Sequence, residues 1–195
     1  MSSRGRTIMY VDNSNMFKSL KQLGWKIDAH KLFSKLEERG DIWQTHFFAA
    51  VTDPPRYKQT NFYRILKEDL HWETYIFPLG YKTHRCSKCG TSWHTYAEKG
   101  VDVALATRLL THASARAFDT AIILSGDKDY LETVKSVKNF GMRVEIVGFH
   151  RSMSQQLAVE SSVSVVYLDD IRSKVELLAP SPEDREIEDL IPDDE

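Results

Sequence analysis

The stretch AIILSGDKDY, residues 121–130, decides the fold of this chain. Four apolar residues are followed at once by Ser125 and Gly126, and then by two aspartates, Asp127 and Asp129. A short apolar run that ends at turn-forming residues is typical of a buried strand in a parallel sheet. Two carboxylates one residue apart repel each other, so their place at the end of such a strand needs a functional explanation.

Short apolar runs alternate with amphipathic segments along the rest of the chain. The predicted strands are 7–12, 42–51, 73–79, 119–125, 142–149 and 164–168, and the predicted helices are 15–24, 28–40, 54–70, 101–113, 130–141, 154–162 and 169–178. This alternation predicts an α/β domain with a mainly parallel sheet and helices on both faces. Ligands of such sheets bind beyond the carboxyl ends of the strands, where Asp12 and Asp127 are both expected.

The composition predicts one domain with a sizeable core. Of the 195 residues, 42% are hydrophobic, and no apolar run is long enough to span a membrane. The first residues lack the features of a signal peptide, and the chain has only two cysteines, so we expect a cytoplasmic protein without a membrane partner.

The net charge of -2 conceals an asymmetry between the body and the end of the chain. Residues 180–195 carry eight acidic residues and one arginine, a net of -7, so residues 1–179 carry -2 + 7 = +5. We expect residues 1–179 to form the domain and 180–195 to be a disordered acidic tail. A basic body is compatible with a polyanionic partner.

Four aspartates stand out as a candidate metal site: Asp12, Asp102, Asp127 and Asp129. Carboxylates crowded at one edge of a sheet are costly unless a cation neutralises them. Mg²⁺ and Mn²⁺ prefer such oxygen ligands and can promote attack of water on a phosphodiester. Alternatively, an aspartate after a strand is a helix cap, and Asp12 and Asp102 each precede or begin a predicted helix.

Three stretches resemble one family. YVDNSNMF (10–17), KGVDVALATRLL (99–110) and ILSGDKDYLETVKSVKNFGMRVEIVGF (123–149) resemble the NYN domain family, in particular its LabA-like branch of PIN-like nucleases. The resemblance implies a PIN-like three-layer α/β/α sandwich, with a mainly parallel central sheet. It also implies a divalent-metal centre, phosphodiester cleavage, chiefly of RNA, and allows a homodimer.

The family pattern assigns roles to five residues of this chain. Asp12 matches the first acidic ligand, Asn15 the polar residue beside it, Asp102 the acid at the start of the central helix, and Asp127 and Asp129 the paired carboxylates. Many relatives carry a further aspartate six residues after the position of Asp102, where this chain has Arg108. Six residues correspond to roughly 120° around a helix. This departure leaves the number of metals and the activity open.

Residues 80–99 form a polar insert that contains both cysteines. Cys86-x-x-Cys89-Gly90 resembles a zinc knuckle, and His84 and His94 are near enough to complete a structural Cys₂His₂ site. The alternatives are two ordinary thiols or a redox pair. A zinc-stiffened insert would present aromatic and basic side chains that grip a single nucleic-acid strand.

Taken together, these patterns favour a Mg²⁺- or Mn²⁺-dependent ribonuclease that acts on single-stranded RNA. The four aspartates would hold the metal, and Asn15 would orient Asp12. A second hypothesis is an RNA-binding regulatory protein without catalysis, for which Arg108 is the main argument. A third is a phosphatase or nucleotide hydrolase with a similar acidic edge.

Overall fold

The computed structural model describes residues 4–51 and 57–178. Its strands are β1 Thr7–Asp12, β2 Gln44–Val51, β3 Glu73–Pro78, β4 Gly80–Arg85, β5 Ser92–Ala97, β6 Thr120–Leu124, β7 Arg143–Gly148 and β8 Val166–Tyr167. Its α-helices are α1 Asn13–Leu23, α2 Ala29–Glu37, α3 Tyr57–Arg64, α4 Val101–Ser114, α5 Leu131–Asn139, α6 Gln155–Ala158 and α7 Arg172–Val175. A π-helical segment, Ile65–Asp69, continues α3, and a 3₁₀ turn, Lys128–Tyr130, leads into α5.

Six strands form one parallel sheet in the order β3-β2-β1-β6-β7-β8. The first three strands are added in one direction and the next three in the other, so the order reverses between β1 and β6. At such a reversal the connections on the two sides diverge and leave a crevice beyond the strand ends. The crevice therefore lies where β1 ends at Asp12 and β6 at Leu124.

Helices cover both faces of the sheet, which gives the three-layer sandwich expected from the sequence. On one face α4, α5 and α6 contribute buried residues such as Leu105, Val134 and Leu157. On the other, α1, α2, the π-helical segment and α7 contribute residues such as Leu32 and Leu66. The two central strands, β1 and β6, are fully buried between these layers, which explains their continuous apolar sequences.

The ends of several elements differ from the sequence expectations. The predicted last helix, 169–178, is helical only over Arg172–Val175. Beyond Val175 the backbone pairs with the segment before α2, where Leu177 N–H donates to the Lys26 carbonyl at 2.8 Å. That pairing replaces further helical turns. The predicted strand 164–168 shortens to β8, and residues 54–56 of the predicted third helix lie outside the described residues, as does the acidic tail.

The insert forms an antiparallel hairpin of β4 and β5 that pairs with none of the six sheet strands. It leaves the sheet after β3 and returns at the start of α4, so it lies at the carboxyl edge. Lys18 of α1 and Glu98 at the base of the hairpin form an ion pair at 3.3 Å. None of the helices in the described residues is long and apolar enough to span a bilayer.

Candidate active site

Asp12 is the buried centre of the crevice between β1 and β6. Its side chain is only 2% exposed, and each of its carboxylate oxygens has a partner. The Asn15 N–H donates to Oδ1 at 3.1 Å, which makes Asp12 the N-cap of α1. The Ser125 hydroxyl donates to Oδ2 at 3.0 Å. The interpretation of Asp12 as a helix cap is thus confirmed, and its role in a metal site stays a prediction.

Tyr130 connects Asp12 to a second aspartate. Its hydroxyl lies 3.0 Å from Asp102 Oδ1 and 3.4 Å from Asp12 Oδ2. A tyrosine hydroxyl has one proton, so it donates to one carboxylate at a time, and the shorter distance favours Asp102. Asp102 is exposed and lies in the first turn of α4, whereas Tyr130 is buried. The Tyr130 hydroxyl therefore lies between two carboxylates, Asp12 and Asp102, that come from distant parts of the chain.

Burial and crowded negative charge dominate the electrostatics. Burial raises the pKa of Asp12 to about 6, against the effect of its hydrogen bonds from Asn15 and Ser125, and the Asp102 charge raises it further. Burial, and then the charges of Asp12, Asp102 and Asp127, raise the pKa of Tyr130 far above its ordinary value. The phenol stays protonated, and Asp12 carries a charge that the protein alone stabilises poorly.

Asp127 and Asp129 occupy different environments. Asp127 is half-buried, and its Oδ1 accepts the Asp129 N–H at 3.1 Å, which starts the 3₁₀ turn. Its charge contributes to the raised pKa of Tyr130, so it belongs to the same group as Asp12 and Asp102. Asp129 is exposed, and within the described residues no contact joins its carboxylate to the other three.

The donor set has the chemistry that Mg²⁺ or Mn²⁺ prefers, because it consists of carboxylate oxygens. None of the four aspartates forms an ion pair with a described lysine, arginine or histidine, so their charge is uncompensated. The same residues do not form a complete coordination site in this structure. In the described part of the chain, no three carboxylate, thiol or imidazole groups converge closely enough to hold an ion.

A cleft of about 400 Å³ lies beside these carboxylates. Its lining residues are Asn15, Gly126, Asp127, Lys128, Arg151, Ser152, Met153 and Ser154. Lys128 and Arg151 are exposed, and neither side chain has an ion pair or hydrogen bond among the described residues. Two unpaired cations next to an acidic crevice provide a place for a phosphate group.

Asn15 and Gly126 join the crevice to this cleft. The Gly126 N–H donates to Asn15 Oδ1 at 3.1 Å, and the Gly126 carbonyl accepts the Ser154 N–H at 2.9 Å. A Cβ at Gly126 would collide with the Ser152 carbonyl and come within 2.9 Å of Met153 Cα. Only glycine fits here, so the loop after β6 lies directly on the loop after β7.

Arg108 lies in a separate group of side chains. Its guanidinium stacks over the Tyr75 ring at 4.8 Å, beside His46 and His112, whose rings are 4.9 Å apart. Burial lowers the pKa of His46 to about 4, and burial followed by the Arg108 charge lowers that of His112. Arg108 contacts none of the four aspartates in the described structure.

The hairpin places the two histidines expected to bind zinc apart from each other. His84 pairs with Trp93 in the strand register and His94 with Thr83, so the two imidazoles lie on opposite faces. Their nitrogens already meet threonines, at 2.8 Å for His84 and Thr95 and 3.0 Å for His94 and Thr83. A Cys₂His₂ site that uses both histidines does not form within this hairpin.

The two cysteines do lie together at the hairpin tip. Both thiols are free of disulfide bonds, and Cys89 is exposed. Hydrogen bonds from Thr91, and then from Cys86, lower the pKa of Cys89 to about 7. This turn favours a thiolate near neutral pH.

Sequence reasoning missed three residues of the site: Ser125, Tyr130 and Arg151. Ser125 and Tyr130 flank the paired aspartates in SGDKDY, so their proximity was visible. The sequence did not show which hydroxyl would reach Asp12, because that contact depends on the parallel pairing of β1 with β6. Arg151 joins the cleft only because the loop after β7 lies on Gly126.

Comparison with known proteins agrees with this architecture. The family model of the NYN domain matches residues 6–169. The uncharacterized protein y4oD of Sinorhizobium fredii is 37% identical over 59 residues, which are 30% of this chain and 28% of that protein. The chain therefore matches well under two thirds of that relative's length.

A solved structure shows the same fold. The crystal structure of a protein of unknown function from Vibrio parahaemolyticus aligns with a TM-score of 0.65, covering 91% of this chain and 99% of that chain. The two are 20% identical, so the likeness is evidence of fold and not of activity.

Proposed function

Because this chain belongs to the NYN domain family, a nuclease-like family, we propose that it is a divalent-metal-dependent ribonuclease that hydrolyses RNA phosphodiester bonds. One observation carries the proposal. Asp12 and Asp102 meet at the hydroxyl of Tyr130 in the crevice between β1 and β6, with Asp127 beside them. No lysine, arginine or histidine of the described residues is paired with any of the three. An acidic group without a counter-charge at the ligand-binding edge of a parallel sheet is a site for a cation.

Asp12, Asp102 and Asp127 are the residues that would hold Mg²⁺ or Mn²⁺, with Asp129 reaching in from the surface. The bound cation would supply Lewis acidity that stabilises the charge developing on the phosphodiester. Among the described residues, exposed Asp102 and half-buried Asp127 each have a hydrogen bond to one carboxylate oxygen only, whereas buried Asp12 is fixed through both of its oxygens. Small movements of two side chains would therefore complete the site.

The chain's own residues would position the reacting groups. Asn15 N–H and the Ser125 hydroxyl orient the carboxylate of Asp12, and the Tyr130 hydroxyl orients that of Asp102. The Asn15 carboxamide oxygen accepts the Gly126 N–H, so its NH₂ group is available to donate into the cleft. Positioning of this kind accounts for much of the rate enhancement in phosphoryl transfer.

The cleft would bind the RNA backbone next to the bond that is cleaved. Lys128 and Arg151 are unpaired in the described structure and would contact a phosphate, and the hydroxyls of Ser152 and Ser154 add donors. A volume of about 400 Å³ suits a single nucleotide better than a duplex. Single-stranded RNA is thus the favoured substrate, because its backbone can bend into an open cleft.

The test is cleavage of a labelled single-stranded RNA with Mn²⁺ or Mg²⁺. Wild type should cleave, Asp127→Asn should lose most activity, and Asp41→Asn should behave as wild type, because exposed Asp41 precedes β2 at the opposite edge of the sheet. Small phosphate esters should be left intact, which separates a nuclease from a phosphatase. RNA binding without cleavage by wild type, under every metal tested, would support the non-catalytic RNA-binding protein instead.

A further inference from the structure

The tip of the hairpin presents two thiols on one tight turn. The Cys86 N–H donates to the Thr91 carbonyl at 2.8 Å, and the Gly90 N–H donates to the Cys86 carbonyl at 3.0 Å. Gly90 has φ +74, in the left-handed region, which lets the chain reverse directly after Cys89. The turn therefore holds Cys86 and Cys89 close to each other, as one half of a tetrahedral thiolate site requires.

The other half is not found among the described residues of the same chain. The chain has two cysteines and seven histidines, and all of them lie within the described residues 4–51 and 57–178. No third histidine, cysteine or acidic residue in those ranges joins the two thiols in a group that could hold an ion. His84 and His94, the nearest imidazoles in sequence, lie on opposite faces of the hairpin and are bonded to threonines.

We propose that Cys86 and Cys89 form half of a zinc site that a second copy of the chain completes with the same two cysteines. Zinc binds thiolates in tetrahedral geometry, and structural sites with four cysteines are common. A twofold axis through the metal turns a pair of ligands into four without any further residue, which is the arrangement of an isologous dimer. Binding of Zn²⁺ releases the protons of the thiols that it coordinates.

The position of the hairpin allows this contact. Its two strands pair only with each other, and residues 87–91 at the tip are all exposed. A second copy can therefore approach tip to tip without disturbing the six-stranded sheet. The six strands and their helices stay out of the contact, so the dimer would depend on the metal.

The positive charge at the hairpin tip complements the negative charge of a zinc ion bound by four thiolates. Zinc with four thiolates carries a net negative charge, and Lys88 lies between the two cysteines in sequence. The guanidinium of Arg85 lies over the same turn, with Nη2 3.9 Å from the position of a Cβ at Gly90. In a complex without zinc the cations of two tips would repel each other, whereas around the thiolate-bound metal they are neutralised.

The experiment measures zinc content and molar mass of the full chain, purified under reducing conditions without chelator. We expect one zinc per two chains and a dimer by light scattering. Removing zinc with a chelator should give monomers, and adding it back should restore the dimer. Cobalt(II) in place of zinc should show the visible bands and the sulfur-to-metal charge transfer of a tetrahedral four-thiolate site.

Substitutions show whether zinc is bound by the cysteine thiolates or by the histidines. Cys89→Ser should be monomeric and free of zinc, whereas Ser87→Ala in the same turn, His84→Ala and His94→Ala should keep both zinc and the dimer. Far-UV circular dichroism checks that Cys89→Ser is folded, which is expected because the tip lies outside both cores. Asp127→Asn should keep zinc and the dimer, so the outcome does not depend on the nuclease proposal.

Three results would overturn the proposal. The first is one zinc per monomer, lost in His84→Ala or His94→Ala. The second is a reduced wild-type protein that binds no zinc and forms a disulfide between its own cysteines when oxidised. The third is a dimer that persists after zinc removal and in Cys89→Ser.

Discussion

At the scale of the single residue, Asp12 combines two roles that one substitution can separate. It caps α1 and also carries a charge that burial makes costly. The cost of the buried charge and the proposed role of Asp12 in metal binding therefore act in opposite directions at this position.

Asp12→Asn should stabilise the folded protein above neutral pH. Burial raises the pKa of Asp12 from 3.8 to about 6, so ionised Asp12 destabilises the fold by about 3 kcal/mol. Because the folded pKa is the higher one, protonated Asp12 causes no loss of stability below about pH 4, and the destabilisation develops as pH rises through about 6. The asparagine keeps the cap, since its oxygen still accepts the Asn15 N–H.

Urea unfolding of wild type and Asp12→Asn across this pH range is the check. The variant should be more stable at about pH 8, and the difference should shrink towards zero at about pH 4. A difference that does not change with pH would contradict the buried charge.

Tyr130→Phe should impair catalysis while leaving RNA binding nearly intact. Without the hydroxyl, Asp102 loses its 3.0 Å partner and the two carboxylates are no longer held against one atom. We expect kcat to fall about 10-fold to 100-fold with little change in KM. Tyr130 acts by positioning the acids, so a shift in the Mn²⁺ concentration needed for half-maximal rate should accompany the loss. An unchanged metal dependence would assign Tyr130 to the core alone.

At the scale of the element, α4 presents Asp102 to the crevice and Arg108 to a different group. Asp102 lies in the first turn, and the Arg108 guanidinium lies over Tyr75 of β3. The position where relatives carry an acid is therefore outside the carboxylate group here. The helix can lose that acid without losing Asp12, Asp102 or Asp127.

Arg108→Ala should leave metal-dependent cleavage within about twofold of wild type and cost about 0.5–1 kcal/mol from the lost stacking on Tyr75. It should also raise the pKa of His112, because the Arg108 charge helps to lower it. Nuclear magnetic resonance titration of the His112 ring and an activity assay measure both effects. Loss of cleavage with the fold intact would show that Arg108 takes part in the site.

The loop after β7 should bind substrate without acting on the reaction itself. Arg151→Ala should raise KM for RNA about 10-fold at low salt and change kcat little, because a lost phosphate contact weakens binding throughout the reaction. Its affinity for RNA should also depend less steeply on salt. Arg116→Ala is the matched control, since exposed Arg116 follows α4 at the other edge of the sheet. Equal effects of the two changes would mean that only net charge matters.

At the scale of the whole molecule, a buried ion pair ties the start of the chain to the sheet. Arg4 and Glu145 of β7 are 4% and 2% exposed and lie 2.8 Å apart. Arg4 Nη1 also donates to the Leu36 carbonyl at 2.6 Å, at the end of α2. These contacts join the sheet to the helical layer that contains α2, at the edge opposite the crevice.

Arg4→Ala should reduce the free energy of unfolding by about 3–5 kcal/mol, because it leaves the Glu145 charge buried without its main partner. Arg6→Ala removes an exposed pair with Asp119 and should cost less than about 1 kcal/mol. Chemical denaturation compares the two variants. Similar losses would mean that burial does not control the value of these pairs.

Much of this architecture was predictable from local patterns. Continuous apolar runs predicted the parallel strands, and the ends of these runs predicted that Asp12 and Asp127 lie at the carboxyl edge of the sheet. Strand order was not predictable by such patterns, and it is the reversal between β1 and β6 that brings Ser125 to Asp12. The zinc expectation relied on the nearness of His84 and His94 in sequence within one hairpin. Once β4 and β5 pair, the two-residue period places His84 and His94 on opposite faces, so their nearness in sequence is misleading.

The proposed function requires that the carboxylates of the crevice bind a divalent cation. Titration calorimetry of Mn²⁺ into wild type, Asp127→Asn and Asp41→Asn, each with a non-cleavable RNA analogue, tests it most directly. We expect saturable binding by wild type and Asp41→Asn and greatly weakened binding by Asp127→Asn. Binding that is absent in wild type, or equal in all three proteins, would contradict the claim.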